Sequence, residues 1–332
     1  MPDPKIFVIH ENDEWLPPLR QAFEALGAPC EEWFLDELAL DLGAVPPEGI
    51  FFSRMSASNH TRGHRHATQS TDVVLRWLEG HGRRVINGSS VLRLEMSKAA
   101  QHILLATAGL HTPHTVVAVG QSQIIDAARR LAMRPFILKP NQGGKGLGVM
   151  LFESIDELQR ALAGGDIPAS VDDVWLLQER IETTDPFITR VEFIGGRFHY
   201  AVRVYSAGSF ELCPADVCEV PPGATEVAGP RFEIDVGFDD PVIGDLEAFL
   251  AANGIEVAGI EFIRRPDGAP VVYDVNTNTN YNAQAEARAG VKSGMRRIAE
   301  FLTAELDVVL AAPAPGPPSI PGCRGSGTAS AG

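Results

Sequence analysis

FILKPNQGGKGLGV (Phe136–Val149) reads as a β-strand that ends in Lys139 and runs into a loop with four glycines among six residues. Gly143, Gly144, Gly146 and Gly148 lack side chains that would hold a phosphate away from the backbone. Successive N–H groups in such a loop form an anion nest. Lys145 sits among the glycines as a second cation. It is followed by Gly146 rather than Ser or Thr, so this is not the strand-to-helix P-loop. The spacing is not GxGxxG either, and a strand (Val149–Phe152) follows where a dinucleotide-binding fold needs a helix. The plainer alternative is a glycine-rich hairpin turn with a chance lysine.

A second stretch, GIEFIRRPDGAPVVYDVNTNTN (Gly259–Asn280), decides between them. Gly259–Ile263 and Pro270–Asn276 read as strands around a Pro-Asp-Gly turn signal. With Pro266–Ala269 as the loop, Arg265 pairs with Pro270 and Glu261 falls opposite Asp274. Two carboxylates with Cβ atoms roughly 4.5–5.5 Å apart repel each other, and a bound cation removes that penalty. Asn276 lies two residues past Asp274 and shares its face, adding a neutral oxygen. Hard oxygen ligands on one rigid face suit Mg2+, with Mn2+ as the alternative. Ile260, Phe262, Val271 and Tyr273 are expected on the opposite, apolar face. The competing reading is a solvated acidic face on an edge hairpin.

Together these segments resemble the ATP-grasp superfamily, in the branch of the ribosomal-protein S6 glutamate ligase and the lysine-biosynthesis ligases. The resemblance runs from about Leu94 to Leu310. It implies an α/β protein in which two α+β subdomains clasp ATP, preceded by a small α/β domain. It also implies residue roles. Lys98, in EMSKAAQHILLATAGLHTPHT, and Lys139 match the lysines that hold nucleotide phosphates, with Ser97 standing where Asp is usual. LLQERI (Leu176–Ile181) matches the hinge that reads adenine, carrying Gln178, Glu179 and Ile181. Glu261, Asp274 and Asn276 match the metal set, with Asp where Glu is commoner at the second position.

ITRVEFIGGRFHYAVRV (Ile188–Val204) reads as a second hairpin about a Gly195-Gly196 turn. Ile194 then pairs with Arg197 and Glu192 with His199. Val191, Phe193, Phe198, Tyr200 and Val202 make one face; Arg190, Glu192, His199 and Arg203 make the other. Arg190 and Arg203, as diagonal neighbours, are the candidate catalytic pair for an anion such as an acyl phosphate. Relatives often have Asp-x-Arg where this chain has Ile188-Thr189-Arg190, and Asp185 is the candidate substitute acid. After Asn276 many relatives turn with Ser, Pro or Gly, whereas this chain reads NTNTNYNAQAEA. Asn278, Asn280 and Asn282 either bind substrate or cap the next helix.

The 332 residues are 45% hydrophobic, enough for two or three domains. The resemblance divides them into 1–92 ahead of the grasp, 93–175 with the glycine loop, 176–311 with the metal set, and a disordered tail at 312–332. Lys+Arg 28 against Asp+Glu 43 gives a net charge of −15, which argues against nucleic acid and anionic membranes as partners. No apolar run of 18 residues and no signal peptide at MPDPKIFVIHENDEW are visible, so a soluble cytoplasmic protein is expected. Cys30, Cys213, Cys218 and Cys323 make no disulfide framework or zinc spacing. FFSRMSASNHTRGHRHATQS (Phe51–Ser70) is the most cationic stretch of an acidic chain and follows a strand end, where open α/β sheets bind ligands. Arg54, Ser56 and Ser58 are therefore candidates to face a substrate carboxylate, and His60-x3-His64-x-His66 a metal alternative opposed by the interleaved arginines. A solvated loop is the other reading.

The resulting expectation is an ATP-dependent carboxylate–amine ligase acting through an acyl phosphate on small-molecule or peptide substrates, in a homo-oligomer as in many relatives. The alternatives are a small-molecule kinase of the same superfamily and a non-catalytic ATP-binding regulator.

Overall fold

The computed structural model describes residues 3–144, 146–205 and 231–311. Lys145, Cys213, Cys218, Cys323 and the expected tail lie outside the described residues. The first sheet is parallel and is built from β1 (Lys5–His10), α1 (Pro17–Leu26), β2 (Cys30–Phe34), β3 (Gly49–Ser53), α2 (Ala67–Gly80) and β4 (Arg84–Ile86), with strand order β2-β1-β3-β4. Alternation splits its apolar residues. Ile6, Val8, Ile50 and Phe52 face α1, while Phe7, Ile9 and Phe51 face Val74, Leu75 and Leu78 of α2. Pro17 and Pro18 open α1 where their missing N–H groups cost nothing, and Gly27 ends it at φ 63°.

α3 (Ser89–Glu95) and α4 (Lys98–Thr107) lead into an antiparallel sheet of β5 (Thr115–Val119), β6 (Phe136–Pro140), β7 (Met150–Phe152) and β8 (Val174–Glu179), ordered β5-β8-β6-β7. α5 (Ile124–Leu131) and α6 (Ile155–Gly164) cover one face, burying Phe136, Leu138, Trp175 and Leu177. The other face, with Ile137, Lys139 and Gln178, lines a cleft.

The opposite wall of the cleft is a second antiparallel sheet. It comprises β9 (Ile188–Ile194), β10 (Arg197–Val204), β11 (Phe232–Asp235), then α7 (Val242–Asn253), β12 (Val257–Arg264) and β13 (Pro270–Asn276), ordered β11-β10-β9-β12-β13. One face, with Phe193, Ile260 and Phe262, packs on Leu246, Phe249 and Leu250 of α7. After α8 (Ala283–Ala289), α9 (Gly294–Ala311) lies between the other face and the parallel sheet, where Ile298, Leu302 and Leu306 share a core with Ile6, Ile50 and Ile194. Each fully buried Leu or Ile there contributes about 1.5–3 kcal/mol. α9 thereby holds the first and last sheets together. No helix among the described residues is long and apolar enough to cross a membrane.

Two registers differ from the sequence expectation, each through a bulge. In β9/β10 the Gly195-Gly196 turn is as expected, with φ of 64° and 68° and Arg197 opposite Ile194. His199 is then extra, so Tyr200 and not His199 faces Glu192. Beyond it the alternation is inverted: Val202 lies opposite Arg190 and Arg203 opposite Thr189. In β12/β13, Arg264 rather than Arg265 pairs with Pro270, and an extra residue, Tyr273, restores Glu261 opposite Asp274.

Candidate active site

The cleft holds a cavity of about 630 Å³ that runs from the hinge at Gln178–Ile181, past Lys139, Asp274 and Asn276, to Ser56, Asn278 and Asn280. Its floor is the β12/β13 hairpin. Glu261 and Asp274 face each other there, and Asn276 donates through Nδ2 to Asp274 Oδ2 at 3.0 Å, which leaves its Oδ1 to the cavity. Tyr273 was expected on the apolar face. The bulge turns it into the cavity, where its hydroxyl donates to Glu261 Oε2 at 3.0 Å.

α4 brings Lys98 to this floor. Ser97 caps the helix by accepting from the Ala100 N–H. Asn141, at the end of β6, accepts from the Ala99 N–H at 2.9 Å and ties the helix start to the glycine loop. Lys98 Nζ meets Asp274 Oδ1 at 2.5 Å. Burial opposes its charge, but Asp274 outweighs burial and holds the lysine above its ordinary pKa. Burial likewise opposes the Asp274 anion, and Lys98 and Lys139 hold it below the usual carboxylate range. Glu261 is raised, first by burial and then by Asp274, against the pull of Arg190. Among the described residues Lys139 makes no ion pair, and Asp274 and Glu261 act on it only from a distance. Burial and the neighbouring Lys98 lower it to about 7.

The glycine loop closes the cavity from the other wall. Gly146 and Gly148 have φ of 72° and 73°, the left-handed region that side chains resist. Gly143, Gly144, Gly146 and Gly148 all lie along this wall, with Gly143, Gly144 and Gly146 on the cavity surface. A Cβ on Gly144 would lie 3.6 Å from Ser58 Cβ, so this loop approaches the 54–58 segment closely. At the hinge, Gln178, Glu179 and Ile181 line the cavity. Gln178 Nε2 is already held by His102 at 2.9 Å and Thr115 at 3.0 Å, while the Glu179 side chain accepts from the His114 N–H and the Glu179 N–H donates to the His114 carbonyl at 2.9 Å.

The two candidate catalytic arginines separate. Arg190 lines the cavity, buried between Glu192 (2.6 Å) and Glu261 (3.0 Å), and donates to Thr279 Oγ1 at 2.5 Å. Burial opposes the guanidinium charge, and the two carboxylates still raise its pKa. Its acids are thus Glu192 and Glu261, not Asp185. Arg203 is not on the cavity surface. The His199 bulge turns it away to Asp235, at 2.8 Å, with its guanidinium over the Phe187 ring.

Of the substrate candidates, Ser56 and Asn278 line the cavity and Arg54 does not. Arg54 is 3% exposed because residues 278–280 and Met295 cover it. The histidine alternative also fails: His64 turns to Asp36, His66 is exposed, and the three histidines form no ligand cluster among the described residues. Arg62 pairs with buried Glu11 at 2.6 Å. Sequence reading missed Glu95, which lines the cavity and accepts from the Thr277 N–H at 2.7 Å, as well as Glu192 and Thr279 as partners of Arg190. An acid at Glu192 two residues from Arg190 on one strand face was the available signal for the last pair.

The residues fit a divalent cation and a nucleoside triphosphate. Facing carboxylates and a free amide oxygen make an all-oxygen donor set, and two lysines and a side-chain-free loop converge on the space above it. Two antiparallel sheets closing on such a cleft are the ATP-grasp architecture. Residues 96–211 match the RimK-like ATP-grasp domain, a family whose members use ATP. A probable alpha-L-glutamate ligase of Xanthomonas oryzae pv. oryzae is 27% identical over 214 residues, 63% of this chain and 66% of that protein. The match spans just under two thirds of that relative's length. A RimK-domain ATP-grasp protein from Sphaerobacter thermophilus has a similar structure, with a TM-score of 0.64 at 20% identity, over 90% of this chain and 98% of that one. The ATP-grasp ligase PsnB, complexed with minimal precursor, Mg and ADP, gives a TM-score of 0.63 at 18% identity, over 92% of this chain and 99% of that one. At these identities both structural likenesses concern the fold.

Proposed function

We propose that the protein is an ATP-dependent carboxylate–amine ligase. The observation that carries the reading is the convergence of Glu261, Asp274 and Asn276 with Lys98, Lys139 and Arg190 on one cavity that continues past them to a polar arm. The glutamate-ligase relative and the PsnB likeness support it. Residues 93–175 and 176–311 act as the two jaws, and 1–92 contributes Ser56 and Ser58 to the acid and amine side.

A substrate carboxylate oxygen attacks the γ-phosphorus of ATP, the bond to the β-phosphate oxygen breaks, and ADP leaves. The amine then attacks the acyl carbon of the acyl phosphate, inorganic phosphate leaves with the C–O bond electrons, and the amine proton passes to water. The protein contributes positioning and charge neutralisation. Mg2+ held by Glu261, Asp274 and Asn276 would neutralise phosphate oxygens, with Mn2+ an alternative occupant. Lys98, Lys139 and the backbone of Gly143–Gly148 hold the phosphate chain, and the hinge backbone at Gln178–Ile181 holds the base. Arg190 has its acids on one side and the cavity on the other, and it steadies the developing acyl phosphate. Arg203 has no part in this reading. The substrates are small-molecule or peptide acids and amines.

The test is phosphate release from Mg–ATP across a matrix of acids and amines, followed by mass spectrometry. Release that needs both, with a product lighter by one water than their sum, is expected. A stable phosphorylated product without an amine would point to a kinase instead.

A further inference from the structure

Residues 276–280 (NTNTN) continue from β13 and alternate sides. Asn276, Asn278 and Asn280 line the cavity. Thr277 turns inward to Glu95, and Thr279 to Arg190 and Glu192. The asparagines therefore carry a polar lining away from the metal face, toward Ser56 and Ser58.

Behind them lies Arg54. Among the described residues it makes no ion pair, although a buried guanidinium ordinarily has an acid partner. Its donors go to neutral acceptors: Nε to Asn278 Oδ1 at 3.1 Å, Nη2 to Asn280 Oδ1 at 2.8 Å and the Thr279 carbonyl at 3.3 Å, and Nη1 to Met295 Sδ at 3.5 Å. These contacts fix how two amides point. With Oδ1 turned to the guanidinium, Nδ2 is the end of Asn280 left to the cavity. Nδ2 of Asn278 gives one hydrogen to the Arg54 carbonyl, at 2.9 Å, and keeps the other. The Arg54 charge thus polarises N–H donors that front the cavity without reaching it itself.

We propose that Asn278 and Asn280, positioned and polarised by Arg54, form a subsite for a carboxylate of the substrate that the reaction does not consume. The substrate class is then a diacid, or an amino acid or peptide with a carboxylate to spare. Arg54 is a positioning residue, and the anion it lacks arrives with the substrate. The inference rests on the ligase reading for which carboxylate reacts, but the binding it predicts does not require turnover.

The test is calorimetric binding of glutarate and adipate, each against its monoamide, to the whole protein with Mg–ADP present. At least one diacid is expected to bind about tenfold or more tightly than its monoamide, as a charge-assisted hydrogen bond requires. Asn280→Asp gives Arg54 an acid inside the protein and should erase that preference while ADP affinity stays native. Arg54→Met should erase it too, and Asn280→Asp serves alone if that variant does not fold. Equal binding of acid and monoamide, no binding of any probe, or a preference that survives Asn280→Asp overturns the proposal. Failure of the ligase reading appears separately, as absent phosphate release alongside an intact diacid preference.

Discussion

Arg190 and Arg54 are both buried guanidiniums braced by the same NTNTN run, and their surroundings differ in kind. Arg190 lies between Glu192 and Glu261, so the protein balances its charge in place. Arg54 lies among two amide oxygens, a carbonyl and a sulfur. The sheet accounts for the difference. Arg190 is on β9 at the centre of five strands, where β12 sets Glu261 directly opposite and the alternation sets Glu192 beside it. Arg54 follows the end of β3, where its neighbours come from residues 224 and 226 positions further along the chain. A charge paired inside a sheet is held in place by the protein's own acids, whatever it then meets in the cavity. A charge capped by neutral groups at a strand end places its demand on a ligand.

Removing each arginine is the hardest test of that contrast. Arg190→Met leaves two buried carboxylates unpaired and should cost about 3–5 kcal/mol in denaturant unfolding. Arg54→Met takes the guanidinium from three neutral oxygens, the two amide Oδ1 atoms and the Thr279 carbonyl, and should cost about 1–3 kcal/mol. Equal losses would abolish the distinction. At the metal face, Asp274→Asn should lower phosphate release by about 100-fold or more, with the unfolding midpoint near native. Unchanged turnover would sink the assigned ligand set.

Gly259 gives Arg190 its space. A Cβ there would lie 2.6 Å from Arg190 Nη2 and 2.8 Å from Glu192 Oε2. Gly259→Ala should therefore displace the pair at a cost of about 1–3 kcal/mol. A neutral result would show that the pair is looser than described.

The smallest effect is one of pH. Burial and Lys98 lower Lys139 to about 7, and phosphate binding favours its charged form. Below that pH the lysine is already protonated; above it, binding must take up a proton. ATP affinity should thus fall as pH rises, by at most about tenfold per unit. Calorimetry in buffers of different ionisation heat would detect the uptake, and its absence would remove Lys139 from the phosphate contacts.

The sequence made the chemistry legible where it depends on local pattern. The Gly195-Gly196 turn and the loop glycines follow from spacing and turn signals, whereas Glu261 meets Asp274 because the Tyr273 bulge makes up a one-residue difference from the expected register. The bulges were not legible, because an extra residue at His199 or Tyr273 answers to packing across the sheet. Tyr273 is turned by its bond to Glu261, and the inverted end of β10 supplies Tyr200 and Val202 to the core under α9. Arg203 moved with that inversion. Arg54 was misread for a related reason: its site at a strand end was correct, but nothing local indicates that residues 278–280 cover it.

The most direct test of the ligase account follows oxygen. The acid identified in the substrate matrix would be labelled with oxygen-18 in its carboxylate, and the phosphate released during turnover analysed by mass spectrometry. Label in the phosphate is the predicted result, since an acyl phosphate hands a carboxylate oxygen to the leaving group. Unlabelled phosphate alongside amide product would contradict the acyl-phosphate route.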